Sequence, residues 1–260
     1  MKIIFMGRKK YAAEMLEWTV NQGIEVVLVC TDSQFANSPT KCKAEKLQIP
    51  VVTMEEAEQY VLDNPNQIDL VVSYLYWRKI RKPLIEHPKY GCINFHPAIL
   101  PDWKGTAGYN VAILNKLSAW GATAHYVDEE IDTGDLIKIY KFNFDYRTET
   151  AVTLEKKTQN IQMELYKSVI LDVLEQGRLQ GTPQKKEDGV YISRKKMIDM
   201  MKINKEKLDD MDSEELDLKI RAFWFPPYDG AGFEINGNYY TLVNKQILKS
   251  LQDKESTAMV

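Results

Sequence analysis

Over the first hundred positions the apolar residues arrive in short, nearly unbroken runs: "KIIFMG", "IEVVLVC", "IPVVTM", "IDLVVSYL" and "GCINFH". Runs of this length, rich in Val and Ile and apolar at consecutive positions, predict strands buried on both faces. Between the first two, "EMLEWTVNQG" places its apolar residues at helical spacing and stops at Gly23, so the chain opens as strand, helix, strand. Further on the pattern predicts a helix from about Ala107 to Lys116 and an alternating strand at "GATAHYV". An acidic, glycine-bearing turn and another strand follow within "DEEIDTGDLIKIY". "AVTLEKKTQNIQMELYKSVILDVLEQG" predicts a long amphipathic helix that ends at Gly177 and closes the domain.

Strands that alternate with helices build an α/β domain, here a Rossmann-like, mostly parallel sheet with helices on both faces over residues 1–180. The last third changes character. "QKKEDGVYISRKKMIDMMKINKEKLDDMDSEELDLKIRAF" is charged and short of core residues, with Asp212 and Glu215 in capping-box positions. "FEINGNYYTLV" predicts a hairpin turning at Asn236-Gly237. Residues 181–260 therefore read as a small C-terminal α+β module.

Composition narrows the function more than the fold. With 260 residues, 44% of them hydrophobic, the chain has a real core to build. A net charge of -3 gives no global attraction to nucleic acid phosphates and no polybasic membrane signal. The apolar start is too short for a signal peptide and no run reaches the length of a membrane span, so the expectation is a soluble cytoplasmic protein. Cys30, Cys42 and Cys92 form no CxxC pair, which predicts free, buried or partly buried thiols rather than disulfides or zinc. Gly7 is followed by "RKKY" and not by the glycines of a dinucleotide site; P-loop, HExxH and GxSxG patterns are missing too.

What remains is "GCINFHPAILPDWKG". In a strand, Asn94 and His96 share a face, and Pro97 and Pro101 end the strand just beyond them. Ligands of open α/β sheets bind outside the carboxyl ends of the strands, which is where these side chains fall. An amide donor, an imidazole and a nearby carboxylate are the parts needed to polarise a carbonyl and move a proton.

"INFHPAILPDWKG", followed by "AHYVDEEIDTGDLI", resembles the catalytic core of the 10-formyltetrahydrofolate-dependent formyltransferase family. Carried over by that resemblance, the catalytic residues are Asn94, His96 and Asp132, with Asp128, Glu129, Glu130 and Asp135 as neighbours in the turn. The resemblance implies 10-formyltetrahydrofolate as formyl donor, no metal, and an acceptor amine that attacks the formyl carbon. Asn94 and His96 are expected to stabilise the resulting oxyanion and Asp132 to hold His96, with the identity of the formal base left open between His96 and Asp132.

For the acceptor, the short segment between the second and third strands and a C-terminal module of only ~80 residues argue against tRNA. "SYLYWRKI", "GTAGYNVAILN" and "IRAFWFPPYDGAGFEINGNYYTLV" look most like the bacterial nucleotide-sugar N-formyltransferases. These act in surface polysaccharide (O-antigen, lipopolysaccharide) biosynthesis. That likeness implies a nucleotide-linked amino-dideoxy sugar as partner, dTDP-4-amino-4,6-dideoxyglucose first, and a homodimer. Trp77, Arg78 and Lys79 are then expected at the diphosphate and sugar, and Trp224 or Tyr228 against the base. The plainer readings are a solvated charge pair for Arg78 and Lys79 and simple packing for the aromatics. Alternatives are a methionyl-tRNA or other small-amine formyltransferase, a formyltetrahydrofolate hydrolase, or a ligand-binding domain without chemistry.

Overall fold

The computed structural model describes residues 1–31, 37–106, 108–185 and 187–258, with side chains described through residue 251. Its sheet contains β1 (Lys2–Gly7), β2 (Glu25–Cys30), β3 (Val51–Val52), β4 (Leu70–Tyr74) and β5 (Cys92–His96). The helices α1 (Lys9–Asn21), α2 (Pro39–Lys46), α3 (Met54–Asp63) and α4 (Lys82–Glu86) connect them. A short β6 (Trp103–Gly105) and α5 (Gly108–Leu114) precede β7 (Ala119–Tyr126) and β8 (Leu136–Asn143), and α6 (Ala151–Gln176) follows. The seven strands lie in the order β3-β2-β1-β4-β5-β7-β8. β1 through β5 pair in parallel, and β7 joins β5 antiparallel.

The order reverses at β1, because β2 and β3 lie on one side of it and β4 and β5 on the other. The carboxyl ends of the central strands thus open onto a switch point of the kind where α/β proteins bind ligands. Two apolar layers explain the continuous hydrophobic runs. Ile3, Phe5, Val72, Tyr74, Ile93 and Phe95 pack with Leu16 of α1 and Leu165, Tyr166 and Val169 of α6. Ile4, Met6, Val71 and Cys92 pack with Met54, Ala57 and Val61 of α3 and Leu84 of α4. Successive strand residues therefore enter opposite layers, and both are built of buried apolar side chains.

Local signals set the element ends. Gly23 (φ 75°) and Gly177 (φ 76°) take the left-handed conformation that glycine adopts without steric cost just past α1 and α6. The run "IPVVTM" forms only a two-residue strand because Thr53 starts a helix instead. Its backbone N–H donates to Glu56 Oε2 at 2.7 Å while its hydroxyl accepts from Glu56 N at 3.2 Å, a complete capping box. Asp212 caps α8 (Ser213–Phe223) by accepting from Glu214 N and Glu215 N. The helix expected from Ala107 runs over Gly108–Leu114, and Ala107 itself lies outside the described residues, as do residues 32–36 of the segment between β2 and α2.

The chain divides into two compact units, each assembled from several segments. One comprises residues 1–104, 121–141 and 158–191; the other comprises 105–120, 142–157 and 192–260. Within the second unit, α7 (Arg194–Met201), α8, the hairpin of β10 (Gly232–Ile235) and β11 (Asn238–Thr241), and α9 (Lys245–Ala258) follow β9 (Val190–Ile192). Asn236 (φ 50°) and Gly237 (φ 76°) form the expected left-handed hairpin turn. Arg221 is the unit's buried anchor: Nε donates to Asp217, and Nη1 donates to the carbonyls of Tyr146 and Glu149.

Burial also decides thiol chemistry. Cys30, buried and beside Glu55, has its thiol pushed up to about 12, and burial pushes Cys92 up as well. At pH 8 a thiol of that acidity is only about one part in ten thousand thiolate, the reactive form. One fast equivalent, at Cys42, is expected when the native protein meets an aromatic disulfide reagent, with the other two appearing only in denaturant. Two or more fast equivalents would contradict this packing.

Candidate active site

The site is built on the end of β5. Ile93 and Phe95 face the α1/α6 layer, so Asn94 and His96 fall on the opposite face, beyond buried Cys92. β7 runs back alongside in a register that sets Asn94 opposite His125 and His96 opposite Thr123. Each cross-strand pair puts its side chains on the same face. Two polar pairs are therefore stacked at one strand end.

Each member has a defined support. Thr123 Oγ1 donates to Ala98 O at 2.8 Å and accepts from Leu100 N at 3.0 Å, which ties the proline-bearing loop to β7. From α6, Gln162 Nε2 donates to Phe95 O at 2.6 Å, holding the peptide between Asn94 and His96. His96 Nε2 lies 2.9 Å from Trp103 O, and His125 Nδ1 lies 2.7 Å from Tyr126 O. A carbonyl only accepts, so both of these nitrogens carry the proton. In the neutral rings the bare nitrogens are His96 Nδ1 and His125 Nε2. Asn94 Nδ2, 3.1 Å from His125 Nε2, is then the donor of that contact.

Asp132 closes the arrangement. Its Oδ2 lies 3.5 Å from His96 Nδ1 and its Oδ1 lies 3.5 Å from His125 Nε2, so one carboxylate faces both bare nitrogens. All three side chains are buried, with 8% of Asp132 exposed. Asp132 has φ 59°, a conformation that non-glycine residues hold only with outside support. Asp128 supplies part of it, accepting from Glu130 N at 3.0 Å and Thr133 Oγ1 at 2.6 Å. Glu129 makes an exposed ion pair with Lys82 of α4 at 2.8 Å.

The structure thus brings Asn94, His96 and Asp132 together and adds His125, which the sequence reading did not single out. Its signal was the alternation in "GATAHYV", which places Thr123, His125 and Val127 on one face; the register against β5 is a long-range fact. Trp77, Arg78 and Lys79 follow β4 at the carboxyl edge of the sheet, with Trp77 and Lys79 exposed. Arg78 is a surface ion pair here, both its terminal nitrogens donating to Glu55 at 3.2 and 2.6 Å. This fork, with Arg81 added, draws the exposed Glu55 carboxyl down to about 2. Trp224 and Tyr228 belong to the second unit: Trp224 is half-buried at the end of α8, and Tyr228 is exposed with its ring 6.0 Å from that of Phe225. Among the described residues no group of three or more His, Cys, Asp or Glu is placed to hold a metal ion, and no helix is long and apolar enough to cross a membrane.

A mostly parallel sheet with a reversal of strand order, and an amide, two imidazoles and one carboxylate converging at a strand end, define an α/β protein that gathers the groups needed to polarise a carbonyl and move a proton. Residues 1–170 match the family described as formyl transferase, and the chain belongs to that family of enzymes. It is similar to a methionyl-tRNA formyltransferase of Geobacillus thermodenitrificans, 30% identical over 250 residues that cover 90% of this chain and 76% of that protein. A methionyl-tRNA formyltransferase of Bacillus cytotoxicus is 30% identical over 72% of this chain, which spans only 62% of that relative's length. Among solved structures, an N-formyltransferase of Helicobacter canadensis in complex with folinic acid and dTDP-3-aminofucose is 25% identical. It superposes with a TM-score of 0.72 over 94% of this chain and 89% of that one. A sugar N-formyltransferase of Shewanella shares the fold, with a TM-score of 0.77 at 18% identity over 94% and 97% of the two chains.

Proposed function

We propose that the protein transfers a formyl group from 10-formyltetrahydrofolate to the amine of a nucleotide-linked amino-dideoxy sugar, with dTDP-4-amino-4,6-dideoxyglucose as the first acceptor to test. The Asp132 carboxylate set 3.5 Å from each of two buried imidazoles carries the catalytic part of this reading. When bound, the folate supplies an activated formyl carbon. Everything else falls to this chain's own side chains.

Asn94 Nδ2 bears two protons, and the bond to His125 uses one. The second is assigned to the formyl oxygen as it gains negative charge, an effect of about 3 kcal/mol for one donor at comparable centres. His96 has its Nε2 proton committed to Trp103 O, so its bare Nδ1 is the atom assigned to take the proton of the attacking amine. Asp132 stands beside that nitrogen to balance the charge that then forms, and His96 would return the proton to the folate nitrogen as its bond to the formyl carbon breaks. This geometry favours His96 as proton acceptor with Asp132 behind it, and leaves the oxyanion to Asn94.

The sugar-nucleotide acceptor is supported by near full-length similarity to the Helicobacter protein, whose complex contains such a sugar, and by the -3 net charge. The tRNA reading rests on the 30% identical relatives, of which this chain spans 62% to 76%. We assign residues 181–260 to acceptor recognition and dimerisation, with Trp224 or Tyr228 stacking on the base and the segment Trp77 to Lys79 near the diphosphate. The experiment is a panel of dTDP-, GDP- and UDP-linked amino sugars and charged initiator tRNA, each with 10-formyltetrahydrofolate at low and moderate salt. Turnover is expected with a dTDP-linked 4-amino or 3-amino sugar and none with tRNA. Tyr228→Ala or Trp224→Ala should raise KM for the sugar nucleotide by the ~1–3 kcal/mol of a base stack. Efficient formylation of tRNA with every sugar inert would overturn this acceptor, and formate release without any acceptor would show a hydrolase.

A further inference from the structure

One buried side-chain oxygen among the described residues has no hydrogen-bond partner: Gln184 Oε1. The other end of the same amide is heavily engaged. Gln184 Nε2 donates to Gly134 O at 2.5 Å and lies 3.4 Å from Asp132 O, so one nitrogen spans the two carbonyls on either side of Thr133. The segment that carries Gln184 is fixed in place just upstream. Leu136 and Thr182 exchange both backbone hydrogen bonds at 2.8 Å, and Gly181 lies so close to Asp135 that a Cβ there would come within 2.5 Å of it.

A partly buried side chain whose amide oxygen is enclosed without a protein partner is a poor choice for stability alone, because such an oxygen is costly to enclose. What the position retains is the donor. Its main target is the Gly134 carbonyl, with the Asp132 carbonyl farther off, in the turn that carries the left-handed Asp132 whose carboxylate faces two imidazoles. Asp128 grips the turn from within through Glu130 and Thr133; Gln184 grips it from the segment that follows α6. We infer that Gln184 is a positioning residue of the transfer reaction, acting through the backbone of the Asp132–Gly134 turn to keep the carboxylate aimed at His96 and His125. This inference rests on the reading of Asp132 as a catalytic carboxylate.

The test uses Gln184→Met, which keeps the length of the side chain and removes both the donor and the unpartnered oxygen. In the full chain, with 10-formyltetrahydrofolate and dTDP-4-amino-4,6-dideoxyglucose, kcat should fall about tenfold with acceptor KM within about twofold and the melting temperature unchanged or raised. In an Asp132→Asn background the same change should cost less than about twofold, because the group it positions is already disabled. Hydrogen exchange supplies a readout that needs no substrate: the 127–137 peptide should exchange faster in Gln184→Met while the rest of the sheet does not. Gln184→Glu, which turns an oxygen toward both carbonyls, should behave at least as badly in both assays. A normal kcat in Gln184→Met, a full tenfold loss persisting in Asp132→Asn, or unchanged exchange in 127–137 would overturn the inference. A near-normal kcat in Asp132→Asn alone would instead remove the catalytic reading beneath it.

Discussion

His96→Asn, Asn94→Ala and Asp132→Asn are each expected to lower turnover by roughly a hundredfold or more, with acceptor KM little changed. In the proposed assignment the three act where charge develops and not where substrate is gripped, so the loss belongs in kcat. His96→Asn removes the bare Nδ1 that faces Asp132 and leaves an amide that cannot take a proton at neutral pH. Asp132→Asn keeps the size of the side chain but withdraws the negative charge from beside two imidazoles, His96 and His125. Asn94→Ala deletes the proposed oxyanion donor and also leaves His125 Nε2 without the amide it accepts from. Because all three serve one transition state, a double variant should lose far less than the product of its single losses. Steady-state kinetics on the acceptor that proves active will decide; a His96→Asn enzyme turning over near the parent rate would remove the assignment.

Gly134→Ala should be nearly as damaging, although no reactive group is touched. A Cβ at this position would run into the Tyr126 carbonyl, a backbone atom that cannot swing aside. That carbonyl accepts the His125 Nδ1 proton, and the carbonyl of Gly134 itself accepts from Gln184. Relief of the clash must therefore shift either the atom that sets the His125 tautomer or the turn that carries Asp132. We expect turnover to fall by about a hundredfold and stability by the ~1–3 kcal/mol typical of overpacking. Paired measurement of kcat and a urea midpoint checks both, and an alanine variant with the parent's kcat would show that the turn tolerates the shift.

Much of the architecture was legible beforehand because its causes are local. Unbroken runs such as "KIIFM" and "LVVSY" are what two-sided burial demands, and helical spacing ending in Gly23 or Gly177 marks where α1 and α6 stop. The Asn236-Gly237 turn is likewise a two-residue conformational requirement. The two-residue strand at "IPVVTM" shows the limit of hydrophobic pattern: Thr53 and Glu56, three residues apart, satisfied helix-end donors at a point where the apolar run alone implied more strand.

For the site, sequence by itself determined that Asn94 and His96 share a face at a strand end, since alternation and the following prolines require it, and the resemblance marked Asp132. Only the tertiary structure decided what those residues face. The antiparallel register of β7 on β5 set His125 opposite Asn94, and the carbonyls of Trp103 and Tyr126 determined which ring nitrogens carry protons. It likewise engaged Arg78 with Glu55, a pairing between residues 23 positions apart. Strand register, tautomer and ion-pair partner all depend on groups brought together from distant parts of the chain, and periodicity within a single segment carries no information about them.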